Sequence, residues 1–142
     1  MTLAQAAAVE NRVKEAPSAS RTYKVIAPRD AQGQLPKAPY AVIQPADGIP
    51  TAERFTGGRM TSHPRITLQL VGSSYDQVQT MVEQIRPLFI DSKGLGIPLE
   101  VAGEDCKHLR WDSPQPIQID NDVTPPLIYA TVEIDWAAEP TA

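Results

Sequence analysis

Apolar and polar residues alternate most cleanly near the end of the chain, in "NDVTPPLIYATVEIDW", residues 121–136. Ile128, Ala130, Val132, Ile134 and Trp136 share one face, and Tyr129, Thr131, Glu133 and Asp135 share the other. Period-two alternation predicts a half-buried strand. Pro125 and Pro126 have no backbone N–H, so they are expected to fix the strand's start and to blunt an exposed sheet edge. "RITLQLVG" repeats the pattern, with Ile66, Leu68 and Leu70 opposite Arg65, Thr67 and Gln69. The spacing then changes to three and four. Tyr75, Val78, Met81, Val82, Ile85, Leu88 and Phe89 predict an amphipathic helix over 75–89, with Ser74 as N-cap and Gln77 completing a capping box. Pro87 is expected to break or kink its last turn.

The remaining pattern is weaker. Leu3, Ala6, Ala7, Val9 and Val13 form an apolar stripe on an N-terminal helix opened by Thr2 and Gln5 and closed by Pro17. "RTYKVIAP" and "YAVIQP" predict two short strands that can form a hairpin across a proline-rich loop. "IPLEVAG", "CKHLRWD", "PIQID" and "LIYATVEIDW" predict a run of strands. Between strand signals, residues 46–64 form a polar extended loop or arm in which Arg54, Phe55, Arg59 and Met60 combine charge with apolar grip. Residues 137–142 are expected as a C-terminal tail. The order predicts one α+β domain over 1–142: a mostly antiparallel sheet, a main helix and an N-terminal helix packed on it, and a long loop or hairpin arm.

Composition narrows the classes. The 142 residues suit a single domain, and 42% hydrophobic residues supply a core. Fourteen prolines stiffen the loops between short strands. One cysteine excludes an internal disulfide and a cysteine-rich zinc site. The start lacks the basic and apolar blocks of a signal peptide, so a cytoplasmic, reducing origin is the expectation, with no membrane partner. Net charge is -4, unevenly spread. Residues 1–90 carry 10 basic and 7 acidic side chains, a net of +3; residues 91–142 carry 3 and 10, a net of -7. Such asymmetry can serve head-to-tail association or tune the field around a partner, but the favoured reading is a plain soluble acidic surface, and no basic patch supports general nucleic-acid binding.

The search for chemistry returns little. "GLGIPL" lacks the third glycine and the helix of a dinucleotide fingerprint, and "VGSSYD" lacks the glycines of a nucleophile elbow. In "EDCKHLRW", Cys106 and His108 lie two apart and would share a strand face, an arrangement compatible with a small cytoplasmic enzyme. The favoured reading is a buried small cysteine and a rim histidine. His63 has no second ligand at metal spacing, and Asp120 and Asp122 suit a solvated turn better than a cation site. Trp111 and Trp136 are expected to fill the core. Neither an enzyme nor a cofactor is expected.

Taken together, the short N-terminal helix, "YKVIAP", "PYAVIQP", the arm, "RITLQLVGSSYDQVQTMVEQIRPLF" and "DVTPPLIYATVEIDW" resemble the tail terminator proteins of long-tailed bacteriophages, particularly those of actinobacterial phages. The resemblance covers most of residues 20–137. It implies a virion protein at the tail–neck junction, present in host cytoplasm during assembly. It implies a homo-oligomer, a hexameric ring that caps the major tail tube protein and joins tail to the head–tail connector, with DNA passing through the lumen without specific binding. Another neck component, such as a head-closure or tail-completion protein, is the alternative. On this resemblance function resides in subunit interfaces. Arg54, Phe55, Arg59 and Met60 of the arm and the acidic pair Glu133 and Asp135 are the candidate contact residues.

Overall fold

The computed structural model describes residues 1–46, 51–52 and 60–141. Two helices frame the described chain, α1 (Leu3–Val13) and α2 (Tyr75–Phe89), with a short 3₁₀ turn at Pro17–Ala19. The strands are β1 (Thr22–Lys24), β2 (Tyr40–Ala46), β3 (Thr51–Ala52), β4 (Met60–Thr61), β5 (Arg65–Gly72), β6 (Glu104–Cys106), β7 (Arg110–Asp112), β8 (Gln118–Asp120), β9 (Leu127–Asp135) and β10 (Ala138–Pro140). The principal sheet runs β1-β2-β5-β9-β7, and β8 joins β7 along the same side of β9. All its pairings are antiparallel except β1 with β2. This is the expected α+β class.

The alternating strands meet in register. Ile66 lies opposite Ile134, Leu68 opposite Val132 and Leu70 opposite Ala130, all buried. Ala41 and Ile43 of β2 extend the same layer. Over it lies α2, whose Val78, Met81, Ile85 and Phe89 are fully buried. Each such aliphatic or aromatic side chain contributes roughly 1.5–3 kcal/mol on leaving water, so this helix–sheet contact dominates the fold. Val9 and Val13 of α1 complete the core. No helix among the described residues is long and apolar enough to cross a membrane.

Several local expectations are corrected by tertiary structure. β1 and β2 are parallel neighbours, not a hairpin. Parallel strands need a crossover of a dozen or more residues, and residues 25–39 provide it. β9 is not an edge: β5 covers one side and β7 and β8 the other, so Pro125 and Pro126 precede a central strand. Pro87 does not break α2, which continues to Phe89. The ring sits on the exposed side of the last turn, where losing one N–H costs little, and the Ile90 N–H closes the helix on the Arg86 carbonyl at 2.9 Å. Ser74 caps α2 through the Gln77 N–H at 3.1 Å, but the Gln77 amide reaches back to Ser73 N at 2.7 Å, one residue earlier than a capping box requires.

At α1 the capping box forms as expected, with reciprocal bonds of 2.9 and 3.1 Å between Thr2 and Gln5. The apolar stripe is rotated, however. Leu3 is exposed and Gln5 is 2% exposed. Burying an amide is tolerated here because it is satisfied twice: Oε1 accepts from Thr2 N, and Nε2 donates to Glu104 Oε1 at 2.7 Å. Gln5 thereby ties the first helix to β6.

"IPLEVAG" is not a strand. Arg12 of α1 donates to the carbonyls of Ile97 and Pro98 at 2.7 and 2.9 Å and stands over the Phe89 ring, so that backbone serves a helix rather than a ladder. Leu99 and Val101 are still buried. "CKHLRWD" divides into β6 and β7 with 107–109 between them. Residues 138–140, expected within a tail, form β10 against β6, and a single bridge from Ala138 to Ser62 joins β10 to the chain just after β4.

Gly96 shows why the glycines of "GLGIPL" are there. A Cβ on Gly96 would lie 1.8 Å from the Leu109 carbonyl oxygen, a backbone atom that cannot yield. Gly96→Ala is therefore expected to destabilise the chain by ~2 kcal/mol or more in chemical denaturation, through overpacking. Phe89→Ala removes the ring that supports both Arg12 and Trp111 and should cost about 3–5 kcal/mol. Wild-type stability in either variant would contradict the packing described.

Candidate functional site

The face of the sheet turned away from α2 divides into two halves. Strand register sets both. Toward one end, the rows are Ala46–Arg65–Asp135–Arg110 and Gln44–Thr67–Glu133–Asp112, running across β2, β5, β9 and β7. Asp135 stands between two arginines, and the Arg110 guanidinium donates to its carboxylate at 3.1 Å. Glu133 stands between Thr67 and Asp112, so two carboxylates face each other directly. Facing like charges are unfavourable in a sheet by a few tenths of a kcal/mol to about 1 kcal/mol. The candidate pair is thus electrostatically unequal: Asp135 is locally compensated, and Glu133 belongs to an acidic spot.

Toward the other end the same face is apolar. Tyr40, Val42 and Val71 are buried there together with Ala27, beneath the 25–39 crossover. Tyr23 and Tyr40 meet edge-on at 5.8 Å between ring centres. Burial raises the Tyr40 phenol above its ordinary pKa, with Tyr23 and Asp120 adding to the rise and Arg29 opposing it. Between crossover and sheet runs a cavity of about 330 Å³, lined among others by Val25, Ile26, Gln44, Gln69, Asp120 and Tyr129. A neighbouring cavity of about 710 Å³ shares Arg29, Leu35 and Leu127 and reaches Lys37, Asp122 and Pro125. The floor is apolar, and amides, a phenol and charges of both signs stand at the rim.

Val25 is the strained point of this region. Its φ is +69°, a conformation that a β-branched residue rarely adopts. The Ile26 N–H donates to the Lys24 carbonyl at 2.7 Å, closing a three-residue turn, and the Val25 N–H donates to the Ile43 carbonyl at 2.7 Å. Such an outlier costs of order 1–3 kcal/mol. The turn ends β1 early and leaves Val25 and Ile26 exposed. The sequence gives no hint of it, because Val-Ile after Tyr-Lys is a strand signal.

Cys106 and His108 are not brought together as a reactive pair. Cys106 ends β6 and is buried. Burial pushes its thiol pKa up, Glu104 and Asp105 push it further, and the Trp136 side chain opposes them. That is the reverse of an activated nucleophile. His108 is exposed, and its Nδ1 lies 2.6 Å from the Gly96 carbonyl. The strand alternation that would align them fails because 107–109 leaves the ladder. Trp136 is buried and Trp111 packs on Phe89 at 5.7 Å, so both belong to the core side. Asp120 Oδ1 accepts the Asp122 N–H at 3.0 Å, the solvated turn expected. Among the described residues, no three His, Cys, Asp or Glu side chains are grouped to hold a metal. Met60 lies in β4; Arg54, Phe55 and Arg59 lie outside the described residues.

Native Cys106 is accordingly expected to react with a thiol reagent at least about 10³-fold more slowly than in denaturant, since reaction must await opening of the fold. Labelling at the unfolded rate would contradict its placement. No protein-family model matches the chain, and no curated protein matches it. Among solved structures, one chain from the virion of a native gene transfer agent particle is similar in fold, with a TM-score of 0.56. The similarity covers 97% of this chain and 99% of that chain at 10% identity.

Proposed function

We propose that this chain is a virion structural protein and, within that class, a tail terminator: a subunit of a hexameric ring that caps the tail tube and joins tail to neck. The observation that carries the proposal is the length of the fold correspondence. It spans nearly the whole of both chains, so it involves the complete arrangement of sheet, helices and crossover rather than a common sub-motif. The resemblance of "RITLQLVGSSYDQVQTMVEQIRPLF" and "DVTPPLIYATVEIDW" to tail terminators narrows the class independently.

On this proposal the protein acts by binding and does no bond-making chemistry. The polar half of the open sheet face, with Glu133 beside Asp112, is a contact or lumen surface. An acidic lumen repels DNA and lets it pass. Arg54, Phe55, Arg59 and Met60 serve the arm's contact with a neighbouring subunit or the tube. A different neck position for the same fold remains the competing proposal, and binding to tube ends discriminates between them.

Purified chain added to polymerising major tail protein should arrest tube growth and appear as a cap at one tube end in negative-stain images. Tubes that keep growing with bare ends would overturn the terminator assignment. Replacing residues 53–59 by a short Gly-Ser turn should leave thermal unfolding unchanged and reduce capping; full capping by that variant would remove the arm from the interface.

A further inference from the structure

β1 ends where β2 runs out of hydrogen-bond donors. Thr22, Tyr23 and Lys24 lie parallel to Ala41, Val42 and Ile43. The Ala41 N–H donates to the Arg21 carbonyl at 3.0 Å, and the Val25 N–H donates to the Ile43 carbonyl at 2.7 Å. Residues 41 and 43 therefore turn their backbone polar groups toward β1, and the next residue of the strand to do so is 45. That residue is Pro45, which has no N–H to offer the Val25 carbonyl. The ladder stops there. Val25 takes its φ of +69°, and the chain leaves the edge of β2 for the crossover.

Beyond this turn the crossover bonds to itself. Among the described residues, the hydrogen bonds of 27–36 all close within 29–34. Asp30 Oδ1 accepts from the Gln32 and Gln34 N–H groups at 2.9 Å, the Gly33 N–H donates to the Asp30 carbonyl at 2.9 Å, and the Arg29 guanidinium donates to the Gly33 carbonyl at 2.7 Å. Residues 28–34 are exposed. Only Ala27, buried, and Leu35, half-buried, press on the apolar floor of Tyr40, Val42 and Val71. The cavity of about 330 Å³ lies between crossover and floor. At the far end, Arg21 donates to the Lys37 and Pro39 carbonyls.

We propose that residues 25–39 are a strap hinged at Val25, which opens within the folded chain and uncovers Tyr40, Val42 and Val71 while β5, β9 and α2 stay closed. A segment with few buried apolar contacts, and no hydrogen bond to the face it covers, opens at far less cost than the core. Opening also releases the backbone strain that the closed strap holds at Val25. Pro45 sets the balance from the other side. With no donor at 45, the open chain gains no ladder bond, so the strap recloses instead of lengthening β1. The same proline keeps that stretch of the β2 edge from accepting a foreign strand while the strap is open. The motion belongs to the single chain and is independent of the ring proposed above.

The test is chemical labelling of the native fold. Ala27→Cys puts a thiol beneath the strap, and Cys106 of the same chain reads opening of the core. With each rate divided by its rate in denaturant, the thiol at position 27 should react about tenfold or more faster than Cys106. Val25→Gly, added to that variant, accommodates the positive φ and should favour the closed strap, slowing the reaction about fivefold or more. Pro45→Ala, at an exposed position, restores a donor that only the open chain can use and should speed it about threefold or more. Acetylation of Tyr40 by N-acetylimidazole reads the same opening in the chain without Ala27→Cys, which covers the case where that variant fails to fold, and should move in the same two directions. Protection of either reporter equal to that of Cys106, or a rate that fails to move oppositely in Val25→Gly and Pro45→Ala, would overturn the proposal.

Discussion

The central antiparallel pair of β5 and β9, sealed on one side by α2, is the constraint on which the rest depends. Eight register-matched residue pairs fix which side chains face the helix, and a one-residue slip would turn every one of them over. With that pair set, β2, β7 and β8 have their positions along free edges. So do the two faces: one a sealed core, the other an open surface with a polar half and an apolar half under the crossover. α1 is secondary to this arrangement. It is held to it by Gln5 on Glu104 and by Arg12 on the 97–98 carbonyls.

The same constraint explains where function can reside. Two polar side chains at the core serve structure: Gln5 holds a cap and β6, and Arg12 holds a loop and an aromatic ring. Cys106 is desolvated and flanked by acids, which disfavours its thiolate. What varies across the surface is charge and apolar exposure. Arg29 and Lys37 of the crossover line cavities together with Asp120 and Asp122, and Arg110 pairs with Asp135, so the +3 and -7 parts of the sequence meet within the fold rather than forming two domains. A chain built this way is suited to contact with other polypeptides rather than to bond-making chemistry.

The sequence was legible where one period governed a whole element. Ile66, Leu68 and Leu70, the even positions of β9, and the α2 face from Val78 to Phe89 pointed as the pattern said, while Tyr75, expected on that face, is exposed at the helix start. It was less legible where non-local contacts decided. The parallel pairing of β1 with β2 depends on the route of residues 25–39, which no local period encodes. Gln5 is inside because Glu104 waits for it 99 positions away. Gly96 had no reason in the sequence once "GLGIPL" failed as a dinucleotide fingerprint; its reason is a backbone passing at contact distance. Of the candidate residues, Glu133 and Asp135 were legible as neighbours on one open face, but their unequal surroundings follow from β7, whose register the sequence does not state. Val25 and Ile26 were missed because branched apolar residues after a strand signal read as more strand.

Hydrogen exchange on the free chain and on chain assembled at tail-tube ends tests the central claim most directly. The account predicts that assembly slows exchange in surface segments outside β5, β9 and α2, beginning with β7 beside Glu133, and leaves that core as it was. Unchanged exchange in those segments, or a rearranged core, would contradict it.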